Sequence, residues 1–374
     1  MNVGIMSMQR IFNYGSWMQS YGLSNLVKEL GHEVEFIDYH IGKPELNSKR
    51  DFAGYYSRLY KHAIEERISD NEFLSKLLPD KFLYNEYCFK QNSLKKLLGG
   101  SLERNYDKEV DCLIVGSDEV FNCLQCSPRV GFSPELLGHY GYAKRRISYA
   151  ASFGNTTLEK IDASGRKTEI VKYLSEFDEI SVRDENSRKI INELLGKDPL
   201  VHLDPVLIWD FSEILHDVNN ADEKYMIVYT YPNRLRREEG VAIRKYADDK
   251  GLKIYGINAK YDFLDKMVYG SPIDILKCFA NAECIVADTF HGTLFSIINH
   301  KPFVSIVRDS ARGKYGNAEK LEDVLIRLGL SNRIIPEIHD ISKYIENSIN
   351  YSSVDEIIAK ERKRSILYLK ENII

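Results

Sequence analysis

Val3-Gly4-Ile5-Met6, the polar stretch Gln9 to Gly15, the run Trp17 to Leu30, Gly31 and then Val34 to Ile37 open the chain, and their reading decides the fold. The first and last are short apolar runs of the kind that form buried strands. Between them Leu23, Leu26, Val27 and Leu30 recur at helical spacing, so Trp17 to Leu30 is predicted as a helix with one apolar face. Gly31 stands where a helix ends, because glycine enters the left-handed conformation without a Cβ penalty. Strand, helix and strand in this order imply parallel pairing through a right-handed crossover.

The same rhythm continues outward. Residues 41–106 interrupt it, rich in Tyr, Lys and Leu at helical spacing, and read as helices inserted at the sheet edge. Strands are predicted at Cys112 to Val115, Ile147 to Ala150, Glu179 to Val182 and Val201 to Leu203. A polar, irregular linker is expected over Asp210 to Asp222. A second set follows: strand Tyr225 to Tyr229, a helix through Arg244, strand Lys253 to Ile257, and a helix at Ile273 to Ala280. Strand Cys284 to Ala287, a helix after His291 and strand Phe303 to Val307 complete it. The expected fold class is α/β, with two doubly wound Rossmann-like domains, 1–215 and 222–350, facing across a cleft. The amphipathic segment Val354 to Asn372, within 351–374, is expected to pack across that cleft or on the first domain.

Bulk properties narrow the classes. With 374 residues, 44% of them hydrophobic, the chain has material for two ordinary cores. A net charge of −4 supplies no global field for nucleic acid, so none is expected as a partner. No apolar run approaches the ~20 residues of a membrane span, and Met1-Asn2-Val3-Gly4-Ile5-Met6 begins directly as a strand, without the pattern of a secretory leader. Among the six cysteines, Cys112, Cys278 and Cys284 sit in apolar runs and read as reduced core thiols. Cys123-Leu124-Gln125-Cys126 has CxxC spacing without a second pair, and reads as a loop rather than a metal or redox site. The expected location is the cytoplasm, and no metal or cofactor is called for.

Five segments fall just after predicted strands, where ligands bind in such sheets. In Asn13-Tyr14-Gly15-Ser16, Gly15 permits close backbone approach and the helix start offers N–H groups to an anion; a plain helix cap is the structural alternative. Gly116-Ser117-Asp118 delivers a carboxylate suited to orienting or deprotonating a sugar hydroxyl, or to capping the next helix. Tyr149-Ala150-Ala151-Ser152-Phe153-Gly154 is built of small residues that allow close approach. In Val182-Arg183-Asp184 the guanidinium suits phosphate or carboxylate, or else a structural ion pair. In Asp288-Thr289-Phe290-His291-Gly292-Thr293, a histidine enters a helix at a strand end, where it can titrate near neutrality, and Gly292 and Thr293 can receive phosphate. No Walker A, GxGxxG, HExxH or GxSxG pattern occurs, which leaves nucleotide, hydrolase and metalloenzyme readings little support.

These segments, in this order and spacing, resemble the polysaccharide pyruvyl transferase family. The resemblance includes Gln19-Ser20-Tyr21, Gly31-His32-Glu33-Val34, Leu203-Asp204-Pro205 and Lys301-Pro302-Phe303, and runs from about Val3 to Arg333 apart from 41–106. It departs at Glu119 and Phe121, where Gln and Trp are commoner, and at Thr289, where some members carry Arg. The resemblance implies a GT-B-like fold, an acceptor side in the first domain and a donor side in the second. It further implies ketal formation on a surface or capsular polysaccharide, with phosphoenolpyruvate as co-substrate. In that chemistry His291 and Asp118 are the expected catalytic groups. His291 serves as general acid or phosphate partner, and Asp118 activates or orients the hydroxyl. Arg183 and N–H groups near Gly292 hold the anion, with Asn13, Tyr14, Gly15, Ser117, Ser152, Thr289 and Thr293 as further substrate contacts.

The acceptor implied is a sugar, expected to be lipid-linked. The aromatic and basic stretch Phe52 to Lys61 is then suited to stacking on sugars or to peripheral contact with the inner face of a membrane, if it is not an ordinary surface helix. The competing readings are a GT-B glycosyltransferase with a nucleotide-sugar donor, and a non-catalytic glycan-binding protein.

Overall fold

The computed structural model describes residues 1–44, 49–77, 81–215, 223–308, 318–339 and 341–374. The chain divides into two compact units, Met1–Pro205 with Lys363–Ile374, and Val206–Arg362. Residues 216–222 of the expected linker lie outside the described residues.

The first unit is built on six strands: β1 (Asn2–Met6), β2 (Glu33–Phe36), β3 (Val110–Asp118), β4 (Ala143–Ala151), β5 (Ser181–Val182) and β6 (Leu200–Val201). Their order is β2-β1-β3-β4-β5-β6, every pairing parallel. Val3, Ile5, Leu113, Ile114, Val115 and Ile147 are fully buried, as strands covered on both faces require. β3 runs three residues beyond its apolar stretch. The reason is its neighbour: β4 continues alongside, pairing Gly116 with Tyr149 and Asp118 with Ala151. The Gly-Ser-Asp segment is therefore the end of a strand rather than a loop after it.

Helix α1 (Tyr14–Glu29) starts earlier than its apolar periodicity suggests. Asn13 caps it, its side chain accepting from the N–H groups of Gly15 at 2.8 Å and Ser16 at 3.2 Å, so the preceding turn is shorter than predicted. Within 41–106 the described residues form helices as expected, α2 (Lys49–Ser69), α3 (Glu72–Leu77), α4 (Lys81–Cys88) and a π-helical segment at Phe89–Leu94, while 41–44 and 98–106 are not helical. It is tied to α1 by Trp17 Nε1 donating to Ser93 O and Asn85 Nδ2 donating to Tyr14 OH. Buried Glu86 meets Arg129 at 3.2 Å; burial raises its carboxyl above the ordinary range despite that cation. Further on, α5 (Glu185–Leu195) follows β5 and is capped by Asp184.

The second unit carries β7 (Tyr225–Tyr229), β8 (Lys253–Ile257), β9 (Lys266–Met267), β10 (Cys284–Ala287), β11 (Phe303–Ile306) and β12 (Ile334–Ile335), in the order β12-β11-β10-β7-β8-β9 and again all parallel. Its helices include α6 (Arg237–Lys250), α7 (Pro272–Asn281) and α8 (Phe290–Ile298). Met226, Val228, Ile254, Val286, Val304 and Ile306 form part of one core cluster. The last helix, α9 (Tyr351–Asn372), contributes its end to the first unit. There Tyr368 OH donates to Ser148 O at 2.8 Å and Arg145 Nε donates to Asn372 O at 2.8 Å.

Each strand order reverses direction once: between β1 and β3 in the first sheet, and between β7 and β10 in the second. At such a reversal the connections leave toward opposite sides and open a crevice at the carboxyl ends of the two strands. These two positions are where polar groups gather.

Candidate active site

In the first unit the crevice lies where α1 follows β1 and where β3 ends. Ser16 Oγ donates to Asp118 Oδ2 at 2.7 Å, and the N–H of Glu119 donates to Asp118 Oδ1 at 2.9 Å. Asp118 has a positive φ of 78°, a conformation that Asp tolerates better than most residues. Two residues earlier, Gly116 has φ +131° and a Cβ there would stand 2.2 Å from Tyr149 O, so no other residue fits. Ser7 Oγ donates to Ser117 O, and Gln19 Nε2 donates to Ser7 Oγ, fixing the backbone that carries Asp118.

Arg183, expected to meet substrate anions, is buried within the protein's own carboxylates. Its Nη1 lies 2.8 Å from Asp204 Oδ2 and 3.7 Å from Asp118 Oδ1. The side chains of Arg183 and Asp204 are 2% and 0% exposed, so this is a fully desolvated pair. Ser16 and Asp204 belong to the cluster without having been expected there, although both lie within the segments Asn13-Tyr14-Gly15-Ser16 and Leu203-Asp204-Pro205.

Several other expected contacts are spent internally. Asn13 caps α1, and Tyr14 OH receives Asn85 Nδ2. Gly15 is buried in the first helical turn. Ser117 Oγ donates to Ala150 O at 2.7 Å, and Ser152 Oγ donates to Asp184 Oδ2 at 2.5 Å.

The second unit has its own cluster at the β7–β10 reversal. Thr289 caps α8, its Oγ1 accepting from the N–H of Gly292 at 3.0 Å, so that donor serves the cap rather than a ligand. A Cβ on Gly292 would stand 2.5 Å from that same Oγ1 and 2.8 Å from Tyr229 Cδ1. Thr293 Oγ1 meets Ser305 Oγ at 2.7 Å and pins the helix to β11. His291, in the first turn, is largely buried, with its ring edge-to-face against Phe290 at 5.3 Å.

Directly before this helix, Asp288 is 1% exposed. Its Oδ1 accepts from the N–H of Tyr231 at 3.1 Å, and its Oδ2 lies 3.6 Å from Arg234 Nη1. Burial pushes its carboxyl up to about 6, although Arg234, the Tyr231 N–H and Arg308 all oppose the rise. Neither arginine lies in a segment expected from the sequence to carry chemistry.

Burial also pushes the Cys123 thiol up to about 12, far from the range of a reactive thiolate. No group of three or more His, Cys, Asp and Glu side chains able to hold a metal ion occurs among the described residues. On α2, Tyr56 and Tyr60 are exposed, and Arg58 Nη2 donates to Cys126 O at 3.3 Å. No described helix is long and apolar enough to cross a membrane.

Comparison with known proteins identifies the family. A family model described as polysaccharide pyruvyl transferase matches residues 13–310, a span that takes in both polar clusters. The chain belongs to that family. Membership implies a transferase whose acceptor class is a polysaccharide. Among solved structures, it is similar to a trehalose-6-phosphate synthase at a TM-score of 0.53 and 10% identity, covering 99% of this chain and 98% of that one. A UDP-N-acetylglucosamine 2-epimerase from Rickettsia bellii superposes at 0.46 with 12% identity over 98% and 96% of the two chains. The first likeness shows that the chain has the expected GT-B-like fold; identity this low says nothing of its substrate. No curated protein sequence matches the chain.

Proposed function

We propose that this protein transfers the pyruvyl unit of phosphoenolpyruvate to two hydroxyls of one sugar in a surface or capsular polysaccharide precursor. The observation that carries the reading is the family match over 13–310, which embraces Ser16 and Asp118 in the first unit and Asp288 and His291 in the second. The donor belongs to the second unit and the acceptor to the first.

The chemistry asks for little beyond the residues present. A proton goes to the methylene carbon of the enol phosphate, making it a methyl group and leaving oxocarbenium character at the adjacent carbon. One sugar hydroxyl forms a C–O bond there; the bond to the phosphate oxygen breaks; the second hydroxyl closes the ketal. Of the two hydroxyl protons, one replaces that taken up by the methyl group and the other leaves with inorganic phosphate.

In this reading His291 stands by the enol phosphate as proton donor or phosphate partner. Asp118 accepts from the attacking hydroxyl, with Ser16 holding its second oxygen. Arg183, committed to Asp204 and 3.7 Å from Asp118 Oδ1, steadies that carboxylate instead of gripping substrate. The acceptor is proposed to be lipid-linked and met at the inner face of the membrane, with exposed Tyr56 and Tyr60 available to stack on sugar rings.

The test is direct. Purified protein is incubated with phosphoenolpyruvate and lipid-linked sugars, and phosphate release is measured beside the mass of the sugar. Stoichiometric phosphate and a pyruvate ketal mass increment are expected. Transfer from a nucleotide sugar instead, or no phosphate with any acceptor, would refute the proposal.

A further inference from the structure

The second sheet places β11, β10 and β7 side by side. Because they are parallel, the segments leaving their carboxyl ends emerge together. Arg308 stands two residues beyond β11, Asp288 directly after β10, and Arg234 in the connection that follows β7. The two arginines thus come from the strands on either side of the one that delivers Asp288 and His291.

Each guanidinium is held by a carboxylate of the second unit. Arg234 lies 3.6 Å from Asp288 and rests over the Tyr231 ring at 4.5 Å. Arg308 Nη2 lies 2.7 Å from Glu239 Oε2. Glu239 is itself fixed, accepting from the N–H groups of Arg236 at 2.8 Å and Ile338 at 3.2 Å. The carboxylates are sunk, at 1% exposure for Asp288 and 2% for Glu239, whereas the Arg234 and Arg308 side chains keep 22% and 19%. Anions are therefore inside and cations at the rim. An approaching ligand meets the positive layer first, at the reversal point where such sheets bind ligands.

We propose that Arg234 and Arg308 form the anion-binding pocket of the second unit, gripping the phosphate or carboxylate of the donor beside His291. This rests on the phosphoenolpyruvate reading above. It gives the pocket a ligand class, a small polyanion carrying phosphate and carboxylate together, because planar guanidinium forks bind both groups with two parallel hydrogen bonds. It also accounts for Thr289: the cation absent two residues before His291 is supplied from the flanking strands. Burial holding Asp288 near 6 adds support, since that carboxylate takes up a proton readily when a second anion arrives.

Calorimetric titration of the full-length protein with phosphoenolpyruvate, and separately with inorganic phosphate, tests the pocket. Arg234→Gln and Arg308→Gln are each expected to weaken binding of both about 10- to 100-fold. Arg234→Lys, which keeps the charge and loses the fork, should fall between. Exposed Arg188, paired with Asp198 in the first unit, gives the control Arg188→Gln, expected to bind as the parent does. Melting curves identify any variant that is not folded, and the Lys variant then carries the comparison. Parent and Gln variants binding phosphoenolpyruvate equally would overturn the pocket and leave the donor reading standing. Arginine-dependent binding of phosphate without phosphoenolpyruvate would support the pocket and overturn the donor. Binding of neither by the parent would overturn both.

Discussion

Ser16 Oγ donates a 2.7 Å hydrogen bond to Asp118 Oδ2, joining the first turn of α1 to the last residue of β3 across the reversal of the first sheet. The two lie 102 residues apart in sequence. The bond leaves one carboxylate oxygen oriented by a hydroxyl and the other by the Glu119 N–H, with Arg183 Nη1 3.7 Å from that second oxygen.

Removing that hydroxyl is expected to lower turnover without unfolding the protein. A hydrogen bond to a charged group is worth about 1.5–3 kcal/mol, so Ser16→Ala should reduce kcat by about 10- to 100-fold. Asp118→Asn should lose about 10²–10⁴-fold, as for a general base. Phosphate release at saturating acceptor is the measurement. An Asp118→Asn enzyme turning over normally would exclude the base role.

His291→Gln separates the two roles of that side chain. As a proton donor it lowers kcat about 10²–10⁴-fold with little change in the KM for phosphoenolpyruvate. As a phosphate partner it raises KM more than it lowers kcat. Steady-state kinetics over a range of donor concentrations decides between them, and unchanged values of both would remove His291 from the reaction.

Asp288 carries a pH signature. Its carboxyl stands at about 6 in the folded protein against 3.8 as its ordinary value, through burial, with Arg234, the Tyr231 N–H and Arg308 acting the other way. A raised carboxyl favours the folded state fully below about pH 4, and that contribution is lost as pH rises through about 6. The full swing is about 3 kcal/mol. Melting temperature between pH 4 and 7 should therefore fall less steeply in Asp288→Asn than in the parent. Parallel curves would assign the slope to other groups.

Two substitutions probe the scaffold. Gly292→Ala puts a Cβ within 2.5 Å of Thr289 Oγ1 and should cost about 1–3 kcal/mol by overpacking, read from denaturant midpoints. Tyr368→Phe deletes only the bond to Ser148 O and should cost about 1 kcal/mol. Equal stability of either variant with the parent would contradict the packing described.

Legible in the sequence alone were the α/β class, the presence of helices within 41–106, and the segments where polar groups gather. They could be read because apolar periodicity, a terminating Gly31 and a strand delivering Gly-Ser-Asp are local properties. Strand limits were less legible: β3 reaches Asp118 because β4 pairs with it that far, which no run of apolar residues announces. Tertiary structure alone decided the partners. Arg183 was legible as an arginine just after a buried strand, suited to an anion or to an ion pair, and Asp204, delivered after β6, makes it a desolvated ion pair. Arg234 and Arg308 carried no motif. They flank Asp288 only because β7 and β11 pair with the two edges of β10, a neighbourhood set by hydrogen bonding between strands distant in sequence.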